Sequence, residues 1–512
     1  MSIKISLIGT LCTVALASCT ASEPSTVEQS ATGPGSIGWD VYFKRTYGNE
    51  TFLTLVFPKL PGSFQLGIDQ VFTTPRGQRF DTWGVLNDPD CSDGDATTDG
   101  FDRCDDPGAT GVIGIRKTRN PNWPTSGPKY LIGTACATCH AGLSAEHPPA
   151  DPNHPDWNNI DVMPGNQYLK VGKIFGAHLS THDPRWQVFN AWPDGTLDTT
   201  AIWSDGINNP LRIAPITDFD KWPLFTVTQH GLTLTTQRQE HSGQDDVGCE
   251  LRSLRVWMSE GMCASECSLP ARAANVPIDI DACRNNCAAF RQAESEVGQL
   301  CKFLEGWHAP QLSSAPNGSN LVDGSLVNRG RDVFRNACES CHSGELHSDF
   351  DLRTATELGV NSCAARTTNW AAGRIWASFS SDTYKGRPNG GIGFVRTVEL
   401  TGVWASAPLL HNNTVGVSAA GTDPAARITA FEQSMRLLLN PSLRPNRISR
   451  TTDFILLGGS VVPAGFEIWK YANADGLGGN RCADPIEDKG HAYGSDLSGS
   501  DQSALIEYLK TL

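Results

Sequence analysis

Two copies of one pattern, Cys136-Ala-Thr-Cys139-His140 and Cys338-Glu-Ser-Cys341-His342, constrain this chain more than any other feature. In a C-x-x-C-H run the two thiols can each add to one vinyl group of the same porphyrin. The adjacent imidazole then falls under the iron as an axial ligand. The pattern therefore predicts two covalent haems c, held by Cys136, Cys139 and His140 and by Cys338, Cys341 and His342. A thioredoxin-type C-x-x-C expects a strand–turn–helix setting, which the sequence does not indicate before either motif. A zinc site needs two further ligands at matching spacing. Duplication of the motif favours haem over both.

The N-terminus has the form of an export signal. Met1 to Lys4 carries one positive charge, and Ile5 to Ala17 is apolar but too short to span a bilayer as a stable helix. Leu16-Ala17-Ser18-Cys19 resembles a bacterial lipobox, which implies cleavage before Cys19 and a lipid on its sulfur. Ordinary secretion with cleavage nearby is the alternative. The expected layout is a signal over 1–18 and a flexible tether over 19–36. That predicts a protein anchored by lipid on the periplasmic side, on the outer membrane of a Gram-negative bacterium. The formal charge of −14 disfavours a nucleic-acid partner, because an acidic surface repels phosphate.

Cysteine usage agrees with export. Of 16 cysteines, Cys12 and Cys19 fall in the leader and four in the motifs. The remaining Cys91, Cys104, Cys249, Cys263, Cys267, Cys283, Cys287, Cys301, Cys363 and Cys482 read as five disulfides. Cys263-x-x-x-Cys267 and Cys283-x-x-x-Cys287 each place two sulfurs on one helix face. Two antiparallel helices stapled as Cys263–Cys287 and Cys267–Cys283 would let Cys249–Cys301 close the outer rung. This predicts a structural hairpin over about 249–301, with a metal cluster as the alternative. Cys363 and Cys482 pair by elimination. Eight aspartates between Asp88 and Asp106 crowd around Cys91 and Cys104. Such a loop can hold calcium, but its spacing fails the EF-hand pattern, and a solvated loop pinned by a Cys91–Cys104 bridge accounts for it as well.

The second motif has a fuller context. Leu326, Gly330, Phe334 and Ala337 recur at helical spacing before Cys338, and Leu505, Tyr508 and Leu509 form an apolar stripe near the C-terminus. Ser498 and Asp501 make a capping-box-like start for that last helix. This resembles the class I cytochrome c domain, in which a glycine and an aromatic on an N-terminal helix meet an aromatic on a C-terminal helix. Gly330, Phe334 and Tyr508 match those roles.

Longer stretches are similar to the family of the di-haem rubber oxygenase, a distant relative of bacterial di-haem cytochrome c peroxidases. They are Tyr384-Lys-Gly-Arg387-Pro388, Leu400 to Asn412 with Trp404, Pro408 and His411, Gly490-His491-Ala-Tyr493-Gly494, and Leu497 to Leu512. The resemblance covers about 325–512, is looser from Gly38 to about Gly231, and finds no counterpart for Cys249 to Cys301. Here Asn389 to Glu399 is inserted between the Arg-Pro pair and the Gly-Val-Trp segment. The resemblance implies a bis-histidine C-terminal haem that carries electrons and an N-terminal haem with an open face for oxygen. His491 is then the distal ligand to the second haem, with His411 second and Met435 third, the last reading equally as a core methionine. Bis-histidine ligation lowers a haem's potential, whereas methionine raises it.

For the first haem, Met163, His178, His182 and His230 are distal candidates, each equally a loop or surface residue. Trp203, Trp222, Trp370, Trp376 and Trp404 are packing residues or electron relays. Arg374, Arg387 and Arg396 are surface charges or propionate partners. The expected fold is mainly α and loop-rich, with two cytochrome c-like haem lobes over 37–320 and 321–512. The expected function is electron transfer between redox partner proteins. The alternative is an enzyme that activates oxygen or peroxide, or acts on an organic substrate, at the first haem.

Overall fold

The computed structural model describes residues 33–59, 65–95, 97–163, 165–183, 186, 189–190, 192, 194–196, 225–228, 231–234, 249–274, 276–342, 352–359, 376–379, 394–396, 400–410, 413–444, 454–455, 461–462 and 488–512. The leader, Cys19, His230, Cys363, His411, Cys482, Trp203, Trp222, Trp370, Arg374 and Arg387 lie outside these, as does the side chain of Arg396. The described chain is mainly helical and rich in loops, as expected. Its described sheets are all two-stranded. No described helix is long and apolar enough to cross a membrane.

Two strands, Ile115–Arg119 and Tyr130–Thr134, pair antiparallel with Ile115 opposite Thr134. They lead into a single helical turn, Ala137–His140, and then into strand Ala141–Leu143, which pairs with Ile160–Val162. The first motif is thus preceded by a strand, contrary to the sequence reading. The alternation that marks it is only five residues long and contains Gly133, a weak strand former.

The hairpin over about 249–301 forms, with Cys249–Cys301, Cys263–Cys287 and Cys267–Cys283 all bonded as expected. The helix-face argument for it fails, however. Cys263 has φ +54° and precedes a π-helical turn, Ala264–Ser268. Cys287 is extended, between helices Ile280–Asn286 and Ala288–Glu305. Helix Ala288–Glu305 lies against helix Ile37–Lys44. The contact is close because Gly38 has no side chain: a Cβ there would overlap the Gln299 carbonyl. The hairpin is therefore part of the first core, with Trp39, Tyr42 and Leu143 packed beside Trp257, Phe290 and Phe303.

In the C-terminal region, Asp323 caps helix Gly324–Ala337, and Ser498 caps helix Gly499–Leu509 by accepting from the Asp501 amide. The two helices cross at Gly330. A Cβ there would overlap the Ala504 carbonyl and come within 2.7 Å of Tyr508 Cβ. Phe334 and Tyr508 stack beside the crossing at 5.3 Å. Gly330→Val is expected to cost about 3 kcal/mol through overpacking. Gly324→Ala, with nothing within 4 Å of its Cβ, is the neutral control. Equal denaturation midpoints for the two variants would refute the close crossing.

Core clusters draw on residues from both sides of position 320. Trp376 and Phe379 belong to the first core, and Ala145, Leu312 and Ala315 to the second. Polar ties join the same regions. Arg427 Nη2 donates to the Leu143 carbonyl (2.6 Å), Tyr168 Oη to that of Gly421 (2.9 Å), and Asn413 Nδ2 to that of Gly195 (3.0 Å).

Candidate haem-binding sites

Helix Gly324–Ala337 delivers the second motif. Its last turn closes with the Cys338 amide on the Phe334 carbonyl, and the His342 amide returns to the Cys338 carbonyl at 2.9 Å. One turn therefore brings the first thiol and the imidazole to the same end of the helix. Across from it the chain returns through Gly490 and His491, at φ +85° and +49°. A histidine in the left-handed region is uncommon, and here the surroundings fix it. The His491 amide donates to the Leu358 carbonyl at 2.8 Å. The buried Arg444 guanidinium donates to the carbonyls of Leu437, Leu438, Asp488, Gly490 and His491, at 2.6–3.3 Å.

The His342 and His491 ring centres lie 6.1 Å apart, with the ring planes inclined by 50°. Two metal–nitrogen bonds of ~2 Å, plus the step from each nitrogen to its ring centre, add to about 6 Å. Burial and the neighbouring His342 push the His491 pKa down to about 4. The ring is neutral at physiological pH, as a metal ligand must be. Its Nδ1 is buried without a hydrogen-bond partner among the described residues. The donor set, its spacing and this unmet nitrogen all fit an iron porphyrin between the two rings. Met435 instead points into the core beside Phe334, Trp404 and Phe431.

The first motif is held by its backbone. The amide of His140 bonds to the Cys136 carbonyl (3.1 Å), and the Tyr42 hydroxyl donates to the His140 carbonyl (2.6 Å). Gly114, at φ +74°, admits the motif turn, since any Cβ would overlap the Thr138 amide. Burial pushes the Cys136 and Cys139 thiols up to about 12, and Cys338 to about 11. A redox C-x-x-C does the opposite and stabilises a thiolate. So the strand before the first motif does not revive the thioredoxin reading.

Two residues that sequence reasoning missed stand at this motif. The Trp257 indole lies beside the Cys136 sulfur, close enough to favour its ionised form. Glu260 touches Asn49 and acts on both Cys136 and Cys139, and burial pushes its carboxyl up to about 7. Both come from the hairpin, where the cysteine pattern pointed only to a staple. The amphipathic helix Cys249–Ser259 was the one available signal, and it does not say which face meets what.

The remaining candidates separate. Met163 sits on the His140 side, its amide on the His140 carbonyl and its side chain over Gly142. His178 Nε2 pairs with Asp69 at 2.6 Å, and His182 is exposed beside Thr181. Trp404 is fully buried and donates to the Pro310 carbonyl, and Trp376 packs on Phe379. Cys91 and Cys104 are bonded as expected. The loop's carboxylates turn onto cations: Asp102 onto Arg76 and Arg79, Asp106 onto Arg116, Asp95 onto Arg103, and Asp99 onto Lys129. Among the described residues no three His, Cys, Asp or Glu converge as a metal site. Compared with known proteins, the chain matches no family model and no curated protein.

Proposed function

We propose that this protein is an exported di-haem c-type cytochrome that passes electrons between redox partner proteins on the periplasmic face of an outer membrane. The observation that carries the proposal is the pair of half-buried imidazoles, His342 and His491, with ring centres 6.1 Å apart beside the Cys338 and Cys341 thiols. Each haem, once bound, supplies a one-electron iron couple. The polypeptide supplies the rest. Cys136, Cys139, Cys338 and Cys341 attach the porphyrins, and His140 and His342 ligate from one side. His491, held neutral by burial, ligates the second haem from the other. Held by His342 and His491 together, the second haem would have no place for a small ligand and would serve electron transfer. The crossed helices Gly324–Ala337 and Gly499–Leu509 support a class I cytochrome c arrangement for the C-terminal region. The lipobox-like Cys19 and the cysteine usage support an anchored, extracytoplasmic location.

The test is intact mass and spectroscopy of protein made with cytochrome c maturation machinery. The denatured chain is expected to weigh two haems more than its polypeptide, and the ferric protein to show at least one low-spin bis-histidine signal. Absence of the added mass sinks the proposal. A first haem that is high-spin, and changes on adding cyanide or carbon monoxide, would move the conclusion to an oxygen- or peroxide-activating enzyme.

A further inference from the structure

We infer that Trp257 and Tyr47 form an escape route that carries oxidising equivalents away from the first haem toward Glu296, protecting that haem from peroxide. The inference rests on haem attachment at Cys136 and Cys139. Trp257 is 2% exposed, and its indole stands against the Cys136 sulfur, where the porphyrin edge would be attached.

On its far side Trp257 packs on Tyr47, with ring centres 4.5 Å apart. Tyr47 is buried and held at φ +47°, followed by Gly48 at +84°, so a strained turn aims the phenol. Its hydroxyl donates to Glu296 Oε2 at 2.8 Å, and Arg45 Nε fixes the same oxygen at 3.4 Å. Glu296 and Arg45 are both partly exposed. The three side chains thus run from the first motif to solvent and end on a proton acceptor. Trp257 and Glu296 are both supplied by the disulfide-bonded hairpin, which gives that segment a task besides packing.

The step balances. Reducing one hydrogen peroxide to two waters takes two electrons and two protons. As the O–O bond breaks and the first water leaves, one electron would come from the bound haem and one from the Tyr47 phenol, relayed through the Trp257 ring. The phenolic proton moves to the Glu296 carboxylate, leaving a neutral phenoxyl on Tyr47. A small reductant at the surface, such as a hydroquinone or a pair of thiols, supplies two electrons and two protons: the first electron restores Tyr47 with the proton held on Glu296, and the second, by the same route, restores the haem as the second water leaves.

To test this, ferric full-length protein is mixed with a small excess of hydrogen peroxide, frozen and examined by EPR, with ring-deuterated tyrosine marking the phenoxyl signal. Intact mass on the same sample separates a missing haem, which would sink the proposed function, from a missing radical. A phenoxyl signal is expected. Tyr47→Phe should abolish it and leave an indole-centred one. Trp257→Phe and Glu296→Gln should each cut its yield several-fold, and the Phe variants should bleach the first haem faster. Tyr47→Phe and Glu296→Gln conserve shape. A doubly haem-loaded protein that forms no tyrosine radical overturns the inference, as does a phenoxyl yield unchanged in Tyr47→Phe or in Trp257→Phe.

Discussion

His491→Ala is expected to turn the second haem from low-spin to high-spin in the ferric protein while leaving the first unchanged. The ring removed is the one centred 6.1 Å from that of His342, and burial keeps it neutral. The loop that carries it will not collapse into the gap, because the Leu358 carbonyl and the five-carbonyl grip of Arg444 hold the backbone rather than the side chain. The vacated position should therefore accept added imidazole, which should restore the low-spin signal. EPR and optical spectra of the variant, with and without imidazole, check both points. An unchanged low-spin spectrum would exclude His491 and return the assignment to His411.

The largest loss of stability is expected from Asp102→Ala. This carboxylate is buried between two buried guanidiniums, Arg76 at 2.5 Å and Arg79 at 2.8 Å. Its removal leaves two cations in the interior with one fewer charge partner. Breaking a buried pair from one side typically costs about 3–5 kcal/mol, far more than an exposed pair contributes. The same two arginines also donate to the carbonyls of Phe72, Thr74, Asp88 and Gly111, so the network ties the 72–79 segment to the acidic loop. Urea unfolding of the full chain measures the effect. Asp95→Ala, which breaks the exposed pair with Arg103, is the control and should barely move the midpoint. Equal shifts in the two variants would refute the account.

What was legible in the sequence was whatever depends on short spacing. Helix caps and the Gly330–Phe334 face repeat within one or two turns. The disulfide partners were legible too, although Cys263 and Cys287 turned out to sit at helix breaks, where a left-handed and an extended residue bring the sulfurs together. Contacts across long stretches of chain were not legible. Nothing local marks Trp257 as the neighbour of Cys136, or Arg444 as the clamp on His491. Those meetings are decided by how the hairpin and the last helices pack. The strand before Cys136 was missed because its partner lies across a Pro- and Asn-containing connection, and a two-stranded ribbon has little pattern of its own.

One helix, Pro424–Leu439, touches both halves of the proposed electron path. Near its start Arg427 grips the Leu143 carbonyl, three residues beyond His140, and at its end Arg444 binds the Leu437 and Leu438 carbonyls together with the His491 loop. It therefore acts as a ruler. At ~1.5 Å per residue, the eleven-residue step from Arg427 to Leu438 spans about 17 Å of rigid backbone. If haems are attached as proposed, tunnelling between them would fall steeply with separation, so the length of this rod would set the speed of an internal electron hop. A one-residue deletion within it would swing the Arg427 anchor about 100° around the axis relative to the Leu437 and Leu438 carbonyls.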